Sequence, residues 1–385
     1  MPQKIAVFGD LPQEVQRSIA ARDRVDSIRR CIGGKLLSII TRHVPKQALT
    51  DHDLASEFDF IPCGFEGLTR ADVLGALQKH KPVGALTRYL RDIRDPSVGT
   101  TAQEAGVSAW STFSVGTDHL DVAQLTRLNI PVFHTPDVLT DAVAVHALSL
   151  IMALANNIFK ADALVRDARW RAEDTLAIDA NLCMPDLFTW TVGIVGMGRI
   201  GTEVLHHLAA FGTNVVWTDT DPAIESRAAA VEQHYGDLAR QRGHEPTVQF
   251  VSLDELLERS DLVSVHTDLN DTSSNLFNAR NFSKMKKGAF FVNTARAGVA
   301  DYGALYEQLE SNRLGGAGLD VFEREPIPPD DLKRLAALPN VILTPHMASN
   351  RAQTRLSMWF LSCYALMAWL LGYRPTNIAN PQVYG

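Results

Sequence analysis

The stretch TVGIVGMGRIGTEV (Thr191–Val204) constrains the fold of this chain more than any other. An apolar run leads directly into Gly196-x-Gly198-x-x-Gly201, and a helical pattern follows. Gly196 permits a tight turn, Gly198 lets a pyrophosphate approach the backbone, and Gly201 lets the helix pack close to its strand. The N–H groups at the start of such a helix attract phosphate. The stretch therefore predicts a strand, a dinucleotide-binding turn and a helix.

An acidic residue follows the next apolar run, where a ribose-binding residue is expected. Asp219 lies 18 positions after Gly201. Its carboxylate can accept both ribose hydroxyls of NAD and would repel the 2′-phosphate of NADP. Asp221 is close enough in sequence to be an alternative. We therefore expect the cofactor to be NAD, bound by this aspartate and by turn residues that include Arg199 and Ile200.

Apolar, β-rich runs alternate with helical segments over the second half of the chain. This alternation is typical of a parallel, doubly wound sheet in an α/β protein. Seven strands are predicted, at residues 191–196, 214–219, 248–252, 262–267, 289–295, 315–321 and 340–346. The connection at Glu225–Phe250 is longer than usual, so we expect an extra surface helix or an oligomer contact there.

About 190 residues precede the glycine turn, and the chain is long enough for two domains. Strands predicted at Lys4–Gly9, Val83–Leu90 and Val107–Phe113, with a helix at Leu68–His80, indicate a smaller α/β unit. Asp23–His52 fits this unit least well and is interpreted as an insertion or an arm.

Two long apolar segments are predicted to be helices. Asp141–Ala168 is apolar on most sides and is expected to pack on two surfaces, one of them a candidate subunit interface. Asn350–Tyr373 is interpreted as an amphipathic helix that returns to the first domain.

Composition narrows the classes of function. The net charge of −7 disfavours binding to nucleic acid or to acidic membranes. No apolar run approaches the length of a membrane span, and no signal peptide is visible. Four scattered cysteines without zinc-ligand spacing indicate reduced thiols, a cytoplasmic protein and no metal site.

Three charged residues follow predicted strands in the second half of the chain. They are Arg296 in VNTARAG, Glu325 in DVFEREP and His346 in LTPHMAS. Ligands bind at the carboxyl edge of open α/β sheets, where these residues would lie. Each alone is more often a solvated or structural residue, so only their combination predicts a site.

Together these segments resemble the D-isomer-specific 2-hydroxyacid dehydrogenase family. The matching motifs run from about Trp110 to the end of the chain, and a plausible first strand precedes them: FSVGTDHLDV, TPDVLTDAVAVHA, VRDARW, GMGRIG, NTARAG, GLDVFEREP and LPNVILTPH. Within the family, PDVLTD and the TPH ending most resemble glyoxylate/hydroxypyruvate reductases.

The resemblance implies two Rossmann-like, doubly wound domains, with the dinucleotide-binding domain inserted into a discontinuous substrate domain. Residues 1–137 would begin the substrate domain, residues 138–346 would bind NAD, and residues 347–385 would complete the substrate domain. It also implies a homodimer.

The resemblance further implies an oxidoreductase that transfers hydride between NAD(H) and a small D-2-hydroxy acid or 2-oxo acid, such as glyoxylate, hydroxypyruvate or pyruvate. Arg296 would bind the substrate carboxylate and carbonyl. His346 would act as general acid or base, oriented by Glu325. The backbone amides of Val115 and Gly116 would also bind the carboxylate.

Further cofactor contacts follow from the same resemblance. The turns around Thr267, Thr272 and Thr294 would line the cofactor site, and Asp320 would hold the nicotinamide carboxamide.

Other interpretations remain open from sequence. One is a formate- or phosphite-type dehydrogenase of the same superfamily, and another is a dinucleotide-sensing protein that resembles corepressors. A phosphorylated substrate would need basic residues, which Arg88, Arg91 and Arg94 could supply, although a solvated helix end is the preferred interpretation. Three aromatic residues are expected in the core and not in a substrate pocket: Trp110, Phe113 and Trp359.

Overall fold

A computed structural model of the chain describes residues 2–64, 68–88, 93–168, 170, 184–226, 228–241, 243 and 245–385. The chain forms two compact units. Unit 1 contains Met1–Leu139 and Asn350–Gly385, and unit 2 contains Thr140–Ser349. Both ends of the chain therefore build unit 1, whereas unit 2 is one continuous segment.

The N-terminal part of unit 1 alternates strands and helices. In chain order, these elements are β1 (Gln3–Phe8), α1 (Gln13–Ala20), α2 (Arg24–His43), α3 (Lys46–Thr50), α4 (Leu54–Glu57), β2 (Phe58–Pro62), α5 (Arg70–His80), β3 (Gly84–Thr87), α6 (Pro96–Ala105), β4 (Ala109–Thr112), α7 (Val122–Arg127) and β5 (Val132–Phe133).

The sheet of unit 1 has five parallel strands in the order β2-β1-β3-β4-β5. The sheet reverses its direction of growth at β1, as in other doubly wound folds. The central strands β3 and β4 are buried throughout, as is usual for a parallel sheet covered on both faces. Strands β2 and β5 were not predicted.

The interpretation of Asp23–His52 as an arm is wrong, and the alternative, an insertion, stays a prediction. Most of it is α2, a 20-residue helix that buries Ile28, Ile32 and Ile40 in unit 1. Helix α2 bends at Gly33, whose φ of 79° and ψ of 169° are not helical. Its apolar face explains why this segment is part of the core.

Unit 2 also alternates strands and helices. Its elements are α8 (Thr140–Ala155), α9 (Ile158–Arg166), β6 (Thr191–Val195), α10 (Arg199–Ala209), β7 (Asn214–Thr218), α11 (Pro222–Glu225), α12 (Ala228–Arg240), β8 (Val248–Phe250), α13 (Leu253–Arg259), β9 (Leu262–Val265), α14 (Ala279–Lys284), β10 (Phe290–Asn293), α15 (Tyr302–Glu310), β11 (Gly316–Leu319), α16 (Pro329–Ala336) and β12 (Val341–Leu343).

All seven predicted strands of the second half are present and form one parallel sheet. The order is β12-β11-β10-β9-β6-β7-β8. The direction of growth reverses between β6 and β9, the point where ligands bind in such sheets. The predicted fold, with two Rossmann-like doubly wound domains, is confirmed.

The long connection after β7 contains an extra helix, α12. An extra helix was one of the two alternatives expected from sequence. Tyr235 on α12 is fully buried, and its hydroxyl donates a hydrogen bond to the carbonyl of Thr213. Helix α12 therefore packs its inner face on unit 2.

The predicted long helix Asp141–Ala168 is two helices. Helices α8 and α9 bend by 63° at their junction, where Asn157 has a positive φ of 48°. No residue of α9 is buried, although Ile158 and Val165 are apolar. Among the described helices, none alone is long and apolar enough to cross a bilayer, whereas α8 and α9 together reach that threshold by length and composition.

The chain returns to unit 1 in α17 (Ala352–Leu370). The expectation of an amphipathic helix is wrong, because every residue from Ser357 to Ala368 is buried, so the helix is covered on all sides over these residues. Helix α17 packs against β3, β4 and α2. Its Trp359 ring stacks on Phe113 at a centroid distance of 3.9 Å, and Trp110 is fully buried. The three aromatic residues are core residues, as predicted.

Candidate active site

The predicted site residues of unit 2 lie at the carboxyl edge of its sheet. Because all seven strands are parallel, the loops that follow them emerge at one edge. The glycine-rich turn follows β6, and the other predicted residues follow β7, β9, β10, β11 and β12.

Two glycines of the turn leave no room for a side chain. Gly196 has a φ of 92°, and a Cβ atom there would lie 2.8 Å from the backbone nitrogen of Thr267. A Cβ atom on Gly201 would lie 2.0 Å from the carbonyl oxygen of Gly196. Helix α10 therefore approaches β6 as closely as the sequence predicts.

The third glycine borders open space. A Cβ atom on Gly198 would meet no atom within 4 Å, and Gly198 is the N-cap of α10 without a side-chain cap. The next residues, Arg199 and Ile200, form the first turn of α10, whose N–H groups have no acceptor within the helix. This open helix start fits a pyrophosphate.

Asp219 lies beside the glycine-rich turn. Its Oδ2 accepts a hydrogen bond from the Met197 amide at 2.7 Å, and its Oδ1 accepts one from the Asp221 amide at 2.9 Å. The side chain of Asp221 instead accepts from Ala223 N at 2.9 Å and caps α11. Of the two aspartates, Asp219 is the one that contacts the turn.

The three predicted threonines occupy different environments. Thr267 follows β9, and its backbone nitrogen lies next to Gly196, 2.8 Å from where a Cβ atom would be. Thr294 is buried, and within the described residues its Oγ1 has no hydrogen-bond partner. Thr272 lies on an exposed turn, where its hydroxyl donates to Asn270 Oδ1 at 2.7 Å.

The structure brings His346 and Glu325 into direct contact. His346 Nδ1 lies 2.6 Å from Glu325 Oε2. Glu325 Oε1 accepts a second hydrogen bond, from the Phe322 amide at 3.0 Å. Burial acts to raise the pKa of Glu325, but its interaction with His346 and the hydrogen bond from the Phe322 amide together outweigh it, so the pKa lies below its usual range. The pair therefore holds an ionised carboxylate against the ring.

Asp320 holds the loop that carries His346. Its Oδ1 accepts from Thr344 Oγ1 at 2.6 Å and from the Met347 amide at 2.9 Å, and its Oδ2 accepts from the Ala348 amide at 2.9 Å. The side chain is fully buried. Burial acts to raise the pKa of Asp320, but a hydrogen bond from His146 and those from Thr344, Met347 and Ala348 together outweigh it and lower the pKa. Its contact with a carboxamide stays a prediction.

His146 on α8 completes this cluster. Its Nε2 lies 3.0 Å from Thr344 Oγ1 and 3.4 Å from Asp320 Oδ1. The side chains of Asp320 and His146 therefore hold the loop, and His346 at its centre has a positive φ of 49°.

Arg296 follows β10, the strand next to β11. Its Nη1 donates to the Ala295 carbonyl at 2.8 Å. Buried Asn293 fixes the turn, because its amide group donates to the Arg296 carbonyl at 3.0 Å and accepts from the Ala295 amide at 3.0 Å. Hydrogen bonds therefore fix the backbone that carries the Arg296 side chain.

Sequence reasoning missed Asn293 and His146. Each carried a signal, because a polar residue at the end of an apolar strand or within an apolar helix needs a hydrogen-bonding partner when it is buried. Which partner it finds depends on the tertiary fold.

In unit 1, Val115 and Gly116 follow β4 at the carboxyl edge of the sheet. Arg88 follows β3 and is half-buried, and burial together with the positive charge of Arg355 lowers its pKa. Arg94 is exposed, and Arg91 lies outside the described residues.

Residues 148–348, more than half of the chain, match the family model described as D-isomer specific 2-hydroxyacid dehydrogenase, NAD binding domain. The chain belongs to this family. This dehydrogenase is 37% identical over 299 residues to a glyoxylate reductase of Thermofilum pendens, covering 78% of this chain and 82% of the relative. It is 34% identical over 345 residues to a glyoxylate reductase of Korarchaeum cryptofilum, covering 89% and 96%.

A solved structure of the TT0316 protein from Thermus thermophilus has a similar fold. The TM-score is 0.74 at 31% identity, and the match covers 98% of this chain and 100% of that one. This dehydrogenase is therefore an NAD-dependent oxidoreductase that acts on D-2-hydroxy acids or the corresponding 2-oxo acids, as its sequence predicts.

Proposed function

We propose that this dehydrogenase reduces a small 2-oxo acid such as glyoxylate, hydroxypyruvate or pyruvate, with Arg296, Glu325 and His346 as its catalytic residues. The contact of 2.6 Å between His346 and Glu325 carries the proposal. Its place at the carboxyl edge of a dinucleotide-binding sheet supports a role in hydride transfer. The names of the two glyoxylate reductases support the substrate class.

His346 would donate the proton. An ionised carboxylate only accepts hydrogen bonds, so Nδ1 of His346 carries a hydrogen that points to Glu325. The other ring nitrogen, Nε2, is then the atom that exchanges a proton with the substrate oxygen. Glu325 would stabilise the positively charged ring during reduction, and the same ring would act as base in oxidation.

Arg296 would bind the substrate carboxylate and polarise its carbonyl. A guanidinium presents paired N–H donors that match two oxygens. The turn fixed by Asn293 would keep this group in place. The amides of Val115 and Gly116 are proposed as further donors to a substrate carboxylate.

The glycine-rich turn, with Arg199 and Ile200 in the first turn of α10, would bind the pyrophosphate. Asp219 would bind the adenosine ribose. The further proposed contacts are Thr267, Thr272, Thr294 and Asp320. When bound, NADH supplies the hydride that reduces the carbonyl carbon.

The substitution His346→Gln tests the acid assignment. Loss of the general acid should lower kcat for 2-oxo acid reduction by about a hundredfold or more. NADH binding, measured by fluorescence titration, should change little because His346 lies after β12, apart from the glycine-rich turn. His234→Gln, at an exposed position of α12, is the matched control.

The rate of NADH oxidation with a panel of 2-oxo acids of increasing length identifies the substrate. The rate of NAD reduction is measured with formate and with phosphite. Near-normal turnover by His346→Gln would contradict the acid assignment. Oxidation of formate or phosphite without reduction of any 2-oxo acid would support the other dehydrogenase class, and NAD binding without turnover would support the sensor.

We further propose that the chain is a cytoplasmic homodimer, with α9 in the interface. Ile158 and Val165 are 55% and 56% exposed and lie two turns apart on α9, so together they form an apolar stripe that a partner subunit would cover. Light scattering should give about twice 42.3 kDa. Ile158→Glu should shift the mass toward the monomer, whereas Leu332→Glu, on exposed α16, should not. A monomeric wild type would contradict this proposal.

A further inference from the structure

Two backbone amides of unit 1 are available to a ligand. Val115 and Gly116 follow β4 and are partly exposed. Within the described part of the chain, neither N–H group donates a hydrogen bond. Their direction matters because an anion needs both donors aimed at one point.

A peptide group is planar and trans, so its carbonyl and its N–H point in opposite directions. Holding the Ser114 carbonyl therefore aims the Val115 N–H. Holding the Val115 carbonyl likewise aims the Gly116 N–H. The groups that hold these two carbonyls decide where the two donors point.

Both carbonyls are held by consecutive residues after β5. The Thr135 amide donates to the Ser114 carbonyl at 3.0 Å. The His134 ring lies with Nδ1 2.9 Å from the Val115 carbonyl. A carbonyl oxygen only accepts, so Nδ1 carries the hydrogen of this bond.

His134 is itself held from the C-terminal segment. Its amide donates to the Asn377 carbonyl at 3.0 Å, and its carbonyl accepts from Asn377 Nδ2 at 2.7 Å. Asn377 is 1% exposed. The ring that holds the Val115 carbonyl therefore has a rigid support.

Ser114 braces the same turn from inside. Its Oγ donates its one hydrogen to the Gly116 carbonyl at 2.7 Å. The contact of 2.9 Å between Ser114 Oγ and Thr112 Oγ1 must then use the hydrogen of Thr112. Buried His119 lies with Nε2 3.2 Å from Thr112 Oγ1 and must be the donor in that contact.

We infer that His134 is a positioning residue for substrate binding: its Nδ1–H holds the Val115 carbonyl so that the Gly116 amide, together with the Val115 amide, is aimed at a carboxylate. The ligand class is a monocarboxylate bound through both of its oxygens. This inference rests on the proposed function, because it assigns the support of amides that the proposal gives to the substrate.

Three substitutions of His134 separate positioning from packing. Asn carries its amide nitrogen on Cγ, where Nδ1 of histidine is also attached, so His134→Asn can keep the bond to Val115. His134→Gln places its nitrogen one bond further out, and His134→Leu has no donor. His80→Leu, at the end of α5, is a control outside this hydrogen-bonded network.

The measurements are steady-state kinetics with glyoxylate and NADH, and calorimetric titration of the NADH-loaded protein with oxamate, a carboxylate that is not reduced. His134→Leu should raise KM and the oxamate Kd by about tenfold, a factor that corresponds to the loss of one or two hydrogen bonds, with kcat changed less than threefold. His134→Asn should restore both values to within about twofold of wild type, and His134→Gln should fall between. Affinity for NADH should not change.

Equal effects of His134→Leu and His134→Asn, an unchanged KM in His134→Leu, or a loss confined to kcat would each overturn the inference while the proposed function stands. If the wild type reduces no 2-oxo acid, the proposed function fails. Oxamate binding that weakens in His134→Leu and recovers in His134→Asn would still support the inference in that case, and a wild type that binds no oxamate would overturn it. If His134→Leu does not fold, the oxamate Kd of His134→Asn is compared with that of His134→Gln. A larger Kd in His134→Gln supports the inference, and equal values overturn it.

Discussion

At the scale of single residues, the environment of each side chain separates candidates that sequence leaves equal. Asp219 and Asp221 are two positions apart, yet Asp219 contacts the glycine-rich turn and Asp221 caps a helix. A carboxylate that already caps a helix is a weaker candidate for ribose binding.

The substitution Asp219→Asn tests the choice of cofactor. It removes the negative charge but keeps an oxygen that can accept from the Met197 amide, so the turn should keep its shape. The ratio of kcat/KM with NADH to that with NADPH should fall by about tenfold, because a charge repulsion near 1.4 kcal/mol is lost. Asp221→Asn is the control and should leave the ratio within about twofold. A shift in Asp221→Asn alone would assign the ribose to Asp221.

The candidate site residues could be named from sequence one by one, but the residues that support them could not. Arg296, Glu325 and His346 stand in sequence motifs, and their position after strands indicates a common edge. The hydrogen bonds of Asp320 to Thr344 and of His134 to Val115 join residues 24 and 19 positions apart. Such pairs depend on sheet register and loop path, which a local pattern does not contain.

At the scale of elements, strands of unit 2 were easier to predict than those of unit 1. The unit 2 strands are continuous apolar runs, as expected where both faces of a sheet are covered. In unit 1, β5 has two residues, and β2 ends in Pro62 at the edge of the sheet. Neither is long or apolar enough to stand out from its flanking loops.

The predictions for two helices were wrong because local sequence patterns were misleading. The bend between α8 and α9 at Asn157 lies inside an apolar run that reads as one helix. Helix α17 contains serines that suggest a polar face, but its interior serines bond to its own carbonyls, as Ser362 does to Met358 at 2.8 Å. A polar residue satisfied within its own helix can be buried at small cost.

Two adjacent glycines of α2 offer a matched test of its bend. Gly33 has a backbone conformation that side chains avoid, whereas Gly34 is helical, and a Cβ atom on either would meet nothing within 4 Å. Gly33→Ala should lower the free energy of unfolding by about 1–3 kcal/mol. Gly34→Ala should raise it by about 0.4–1 kcal/mol. Urea unfolding measures both, and equal effects would contradict the bend at Gly33.

At the scale of the whole molecule, one buried histidine links stability to pH. His266 follows β9, and its Nε2 contacts Ser264 Oγ at 2.9 Å. Its Nδ1 is buried, and within the described residues this atom has no hydrogen-bond partner. Burial lowers the pKa of His266 to about 4. The folded chain therefore keeps this ring neutral where the unfolded chain, with a histidine pKa of about 6.5, takes up a proton.

Stability from His266 is full above pH 6.5 and is lost as the pH falls toward 4. Between pH 7.5 and pH 5 this linkage should cost about 2 kcal/mol of the free energy of unfolding. His266→Gln, which can keep the contact to Ser264, should show a correspondingly smaller loss in urea titrations at the two pH values. The exposed His234→Gln should lose as much as wild type, and an unchanged pH dependence in His266→Gln would contradict the assignment.

The path of the chain through the two units has a consequence for its synthesis. Unit 2 is complete in sequence once Ser349 has left the ribosome, so it can fold while translation continues. Unit 1 begins with β1 but lacks α17, which covers β3 and β4, until all of unit 2 has been synthesised. The strands β3 and β4 therefore stay uncovered on the nascent chain until α17 follows, and this interval is when a chaperone would have most to protect.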